Sequence, residues 1–334
     1  MKIKNKIFQL FILSSVILLL SGCFSDKAKR TVKHTENALS ITLSHNAKYV
    51  LIAHSQGHVE LRDVKSNKII SQWQHADTPD AGVIAADFSL KTGNSDEFVV
   101  TAQQNNLALY SIKEKKILYF WSLDDIRDIK LSSDGEFALV SSRDKSGEYP
   151  LYRIVYFHLR TGTIKYGLYH DDIITSIALS ADGRLALSGS DDTKARLWDL
   201  ATGELIHTWP HTSKVSKVQL SPDGHYAMTN TSSEGVYIWN TKSGKLVRRL
   251  NKIRATIASA VFSEDSKIIA TGYTREEIIL WNIKSGKKIK TWRPKRRYVW
   301  QSSLANVTTL AFQNNKNLVS ETSRGVLQVW SLNK

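Results

Sequence analysis

A tryptophan-centred tetrapeptide recurs along this chain at intervals of 41 to 49 residues, as Arg196-Leu197-Trp198-Asp199, Tyr237-Ile238-Trp239-Asn240, Ile279-Leu280-Trp281-Asn282 and Gln328-Val329-Trp330-Ser331. A unit of that length cannot bury its own apolar face, so copies must stack and share a core. Aligned on this position, seven units hold Arg62, Tyr110, Phe157, Trp198, Trp239, Trp281 and Trp330. Eleven residues on, a second apolar slot holds Trp73, Trp121, Leu168, Trp209, Leu250 and Trp292. Eight of the nine tryptophans therefore sit at repeat positions, and Trp300 alone stands outside.

Within a unit the apolar residues alternate, as half-buried strands require. Val215 to Leu220, Tyr226 to Met228, Val236 to Trp239 and Leu246 to Leu250 read as four strands. The first turn is Ser221-Pro222-Asp223-Gly224, echoed by Ser180-Ala181-Asp182-Gly183 and Ser132-Ser133-Asp134-Gly135. The last is Lys242-Ser243-Gly244-Lys245, echoed by Thr202-Gly203 and Ser285-Gly286. Both are tight-turn chemistry.

These residues resemble the WD-repeat family of β-propellers, and the likeness covers about residue 28 to residue 334. It implies an all-β fold, a seven-bladed propeller of four-stranded antiparallel blades. In blade 4, His170, Ser188, Asp192 and Trp198 fall where the family places a buried hydrogen-bonded set. Blade 5 keeps His211, Thr229 and Trp239 with Ser233 in the aspartate slot, and blades 6 and 7 put Arg275 and Arg324 there. A His, Ser and Asp in one blade invite a catalytic reading. A triad also needs oxyanion donors, a pocket and an exposed nucleophile, and no glycine-flanked serine elbow is present. No catalytic residue, metal site or cofactor is assigned from the sequence. The inner strands show no convergent set of acidic, histidine or metal-binding side chains, which a sensor or enzyme using the central channel for a small ligand would need. That remains the alternative function.

Ahead of the repeats, Lys2, Lys4 and Lys6 precede an apolar run from Ile7 to Leu20. The run is too short for a comfortable membrane span and suits an export signal. It ends in Leu20-Ser21-Gly22-Cys23, which resembles the lipobox of bacterial lipoproteins. Residues 1–22 are then a cleaved signal peptide, 23–27 a lipidated tether and 28–334 the propeller. The resemblance implies a diacylglyceryl group on Cys23, the only cysteine of the chain, and a membrane anchor through it. Phe24, rather than aspartate, matches the pattern sent to the outer membrane. The expected location is the outer membrane, facing the periplasm. Formal charge is +15. In an exported protein that balance favours acidic protein, anionic lipid or envelope polymer over nucleic acid.

Only Ser331 to Lys334 follow the third strand of blade 7, so Ala28 to Val32 is expected to close the ring as its fourth strand. Strand alternation puts the first-to-second and third-to-fourth turns on one face, the tight-turn face, near the lipid. The second-to-third turns and the blade-to-blade connections form the opposite, open face. Long loops on a rigid scaffold are where binding usually lives, and the blade 6–7 loop carries Arg293, Lys295, Arg296, Arg297, Tyr298 and Trp300. These six are the candidate contacts for a protein partner or anionic envelope polymer. The expected function is a non-enzymatic interaction scaffold.

Overall fold

The computed structural model describes residues 27–34, 38–75, 82–89, 97–231, 233–250, 256–297, 304–313 and 316–332. Cys23 and the signal segment lie outside the described residues, as do Tyr298 and Trp300. Among the described residues, twenty-eight strands form seven four-stranded sheets, every pairing antiparallel. In blade 4 the strands run Ile174–Leu179, Leu185–Ser190, Lys194–Asp199 and Leu205–Pro210, from the centre outward.

The turns follow from local side-chain chemistry. Ser221 Oγ donates to Asp223 Oδ1 at 2.6 Å and accepts from Tyr226 N at 2.9 Å. Gly224 then takes a φ of 69°, a left-handed conformation that suits glycine. Ser180 with Asp182 and Ser132 with Asp134 repeat the arrangement. The polar residue after each tryptophan organises the outer hairpin. Asp199 Oδ1 accepts from Ala201 N at 2.7 Å, and Asn240 and Asn282 cap the equivalent turns.

Seven hydrophobic clusters hold the ring, one at each blade-to-blade interface. The two apolar slots of the repeat are the halves of one contact. The outer-strand residue of one blade packs on the third-strand aromatic of the next. Trp73 stacks on Tyr110 at 3.9 Å, Trp209 on Trp239 at 5.2 Å and Trp292 on Trp330 at 5.5 Å, while Trp121 meets Phe157 edge-on.

Ring closure is made by the amino-terminal segment. Strand Arg30–Lys33 pairs antiparallel with Val326–Ser331 of blade 7, Arg30 opposite Val329 and Lys33 opposite Val326. It starts two residues later than the repeat alignment places it. Pairing this edge removes the open row of N–H and C=O groups that an unclosed sheet would present. At this seam the aromatic contact is missing, because Arg62 occupies the slot on blade 1 and Val32 faces it from the closing strand. Polar groups add to the apolar cluster there. Arg30 donates to the carbonyls of Val64 and Lys65, and Gln328 Nε2 donates to Thr31 Oγ1 at 3.2 Å.

Candidate functional site

In blade 4 the outer strand of blade 3 delivers His170, the second strand delivers Ser188, the following turn Asp192 and the third strand Trp198. Trp198 Nε1 donates to Ser188 Oγ at 3.0 Å, and Ser188 Oγ lies 2.7 Å from His170 Nε2. His170 Nδ1 lies 2.9 Å from Asp192 Oδ2. Burial pushes the imidazole below its ordinary pKa, against the pull of Asp192. Burial also works against the Asp192 carboxylate. The hydrogen bond from His170 and the backbone N–H groups of Lys194 and Asp171 prevail, and hold it well below the usual carboxylate range. The set is therefore neutral histidine on ionised aspartate, with the indole N–H and serine O–H both satisfied. Ser188 is fully buried, so its hydroxyl meets no substrate. The four groups cross-brace the blade.

Blades 5, 6 and 7 keep the indole–hydroxyl half of this set. Trp239 donates to Thr229, Trp281 to Thr271 and Trp330 to Ser320, at 2.8 to 2.9 Å. In blade 5 the acidic partner is Glu234, whose Oε2 lies 3.5 Å from His211 Nδ1, one residue beyond the expected slot. Ser233 instead meets Ser213 at 2.6 Å.

The blade 6–7 loop is divided in its commitments. Arg293 and Lys295 have exposed side chains, while the Lys295 backbone N–H donates to Gln328 Oε1 at 2.7 Å. Arg296 Nε donates to Glu276 Oε2 at 3.1 Å. Arg297 turns inward, donating through Nη1 to the carbonyl of His34 and to that of Arg324 at 3.2 Å. Beneath it lies Glu321, fully buried, with His34 Nδ1 at 3.3 Å. Burial raises the Glu321 pKa despite the opposing pull of His34 and Arg297. Arg297 thus clasps the end of the closing strand to blade 7.

A second open-face feature is the hairpin between the middle strands of blade 3, Phe137–Asp144 and Leu151–His158. Tyr149 is 75% exposed, Leu151 52% and Tyr169 50%. Arg153, on the same sheet face as Leu151 and Tyr169, bridges to Asp144 at 3.0 Å. At the hairpin base a single carboxylate, Asp125, gathers Arg143 Nε at 2.7 Å, Lys145 Nζ at 3.1 Å and Arg127 Nε at 3.6 Å. Burial opposes its ionisation, but Lys145 and Arg143 hold its pKa below the usual range. Three cations surround this one anion, and with Arg153 they are matched in number by Asp124, Asp125, Asp144 and Glu148.

The central channel corrects the sequence reading of the inner strands. Asp87, Asp128, Lys130 and Lys217 all line it. Their signal was the alternation within each first strand, where Asp128 and Lys130, or Lys217 and Gln219, share a face two residues apart. Among the described residues no group of three or more His, Cys, Asp or Glu could hold a metal ion, and no helix is long and apolar enough to cross a membrane.

A family model of the WD domain, G-beta repeat, matches residues 162–199 and 203–240, which cover most of blades 4 and 5. The small ribosomal subunit protein RACK1 of Glycine max is 36% identical over 76 residues, 21% of this chain and 21% of that protein. The chain thus spans about a fifth of the length of this relative. It carries WD40 repeats on a seven-bladed propeller.

Proposed function

We propose that this protein is a membrane-anchored, non-enzymatic scaffold whose open face docks a protein partner. The observation that carries the reading is the blade 3 hairpin, where Tyr149, Leu151 and Tyr169 are exposed beside the ion-paired cluster of Arg143, Lys145 and Asp125. Rigid aromatic side chains with arginine nearby are the usual makings of a binding hot spot, and the formal charge of +15 on the chain as a whole suits an acidic partner. The soybean relative is a protein of the small ribosomal subunit; membership in an assembly, not that assembly, is the property carried over. The exposed side chains of Arg293 and Lys295 add positive charge to the same face.

Anchoring rests on the lipobox-like Leu20-Ser21-Gly22-Cys23, and the outer membrane facing the periplasm is the location proposed from Phe24. Arg30 begins the closing strand against the blade 1 outer hairpin, at the tight-turn face. Four residues from Phe24 to Lys27 reach at most about 14 Å, which would hold that face near lipid and turn the open face away. Hairpin lysines such as Lys65, Lys242 and Lys287 would each add on the order of 1 kcal/mol of attraction to anionic headgroups.

A photo-crosslinking residue placed at Tyr149 in intact cells tests the docking face, with Lys65 as the tight-turn control. Discrete protein adducts at position 149 and none at 65 support the scaffold. Equal adducts at both positions, or none at 149, refute it. Cys23→Ser should abolish acyl labelling and membrane retention; unchanged fractionation would refute the anchor.

A further inference from the structure

The first strands of the seven blades surround a central cavity of about 800 Å³, within the range of small-ligand sites. Its walls are unequal. Blades 1, 6 and 7 present Ser40, Thr42, Ser259 and Val261 together with Thr309. Asp87, Asp128, Lys130 and Lys217, on the first strands of blades 2, 3 and 5, are four of its charged groups, and Glu97, Arg127 and Glu264 also belong to the lining. Blade 4, between the last two, contributes Thr175, Ala178, Leu179, Ser180 and Ala181, none of them charged, so Lys217 feels the charges of Asp128 and Lys130 across it.

Three of these four groups already have partners. Asp87 Oδ2 accepts from Leu131 N at 2.9 Å. Asp128 accepts from Ile129 N at 2.9 Å, Ile177 N at 3.2 Å and Lys130 Nζ at 3.0 Å. Lys130 also donates to Ile129 O at 3.0 Å, which leaves one of its three N–H groups. Lys217 differs. Among the described residues its ammonium makes no hydrogen bond or salt bridge, and neither does the side-chain amide of Gln219, two residues along on the same wall. Both are half-buried. Desolvation, with Lys130 adding to it, pushes the Lys217 pKa below the ordinary lysine value. What the channel lacks on this side is an acceptor.

We propose that the central channel binds a small oxyanion, a carboxylate or a phosphate, held by the Lys217 ammonium and the Gln219 amide of blade 5 and by the remaining N–H of Lys130 on blade 3. A cation does not fit, because the Asp87 and Asp128 carboxylates are occupied by N–H donors and the unpartnered groups can only donate or, for the amide, turn its N–H groups outward. A charge-assisted pair with an ammonium in a confined channel is stronger than its counterpart on the open surface. The site is separate from the blade 3 hairpin, so its test does not depend on the docking reading.

Isothermal titration calorimetry of the full-length chain in detergent, with inorganic phosphate and with succinate as probes, tests the proposal. At least one probe should bind saturably at a single site, and the preferred one identifies the phosphoryl or carboxylate source. Lys217→Met should weaken binding by about tenfold or more, and Lys217→Arg by no more than about threefold. Lys245→Met, on an exposed hairpin, should leave it unchanged. Circular dichroism of each variant checks that the fold is kept, as expected for a half-buried position. Binding of neither probe, or Lys217→Met binding as the wild type does, would overturn the proposal.

Discussion

Replacing Arg297 with alanine separates two roles that a basic loop residue could have, docking a partner or closing the ring. The guanidinium donates to the His34 and Arg324 carbonyls within blade 7, where the closing strand joins the ring. A hydrogen bond from a charged donor contributes about 1.5–3 kcal/mol, and a buried acceptor left unsatisfied costs a similar amount. The two acceptors share one nitrogen, so the expected loss is about 3 kcal/mol rather than the sum of two bonds. Closing-strand amides such as His34 N, now bonded to Gly325 O at 2.6 Å, should exchange through local opening and speed up accordingly. That loss corresponds to roughly a hundredfold faster exchange, with smaller changes in blades 4 and 5. Arg293→Ala, four residues away on the same loop and exposed, should cost no more than about 0.5 kcal/mol. Urea denaturation and hydrogen exchange of both variants provide the comparison. If Arg297→Ala behaves like Arg293→Ala in both measurements, the clasp is not real and the loop has no closing role.

Ser188→Ala should destabilise the protein by about 2–4 kcal/mol in chemical denaturation, because it strands the Trp198 N–H and His170 Nε2 in a buried site. Ser320→Ala strands only one indole N–H and should cost about half as much. His75 is buried, and its pKa is pushed down to about 4, chiefly by desolvation. A depressed value means the unfolded state binds the proton more tightly. The stability is then fully present above pH ~6.5 and is lost as pH falls towards 4, about 3 kcal/mol in total. Histidine NMR titration and the flatter pH profile of His75→Gln check this. Glu321 carries the opposite sign, since burial raises its pKa. Its contribution is present below the ordinary glutamate value and is lost as pH rises through the raised one, so Glu321→Gln should remove that decline from the difference profile.

How much could be read from the chain alone depended on sequence distance. The turns Ser221-Pro222-Asp223-Gly224 and Asp199 to Gly203 close through contacts two to five residues apart, so their residue types announce them. The blade 4 set joins residues at most 28 apart and recurs in weaker form, which made it visible by comparison between repeats. The blade 6–7 loop misled in part. Four positive charges read as a docking surface, but the acceptors that claim Arg297 include a carbonyl 263 residues earlier. In blade 5, acidic contact with His211 shifted from position 233 to Glu234, because the turn and not the alignment decides which side chain reaches the imidazole.

Repetition by itself determined the architecture, seven sheets, their strand order and the paired apolar slots, because each unit encodes the same alternation and the same turns. The ring decided what faces what. Lys217 and Asp128 belong to units that are not neighbours, and only closure brings their strands to a common axis across the uncharged residues of blade 4. The seam between first and last blades was likewise a tertiary matter. Where Arg62 replaces the aromatic residue, hydrogen bonds from Arg30 add to the apolar cluster between the ends, and Gln328 and Arg297 tie the closing strand to blade 7.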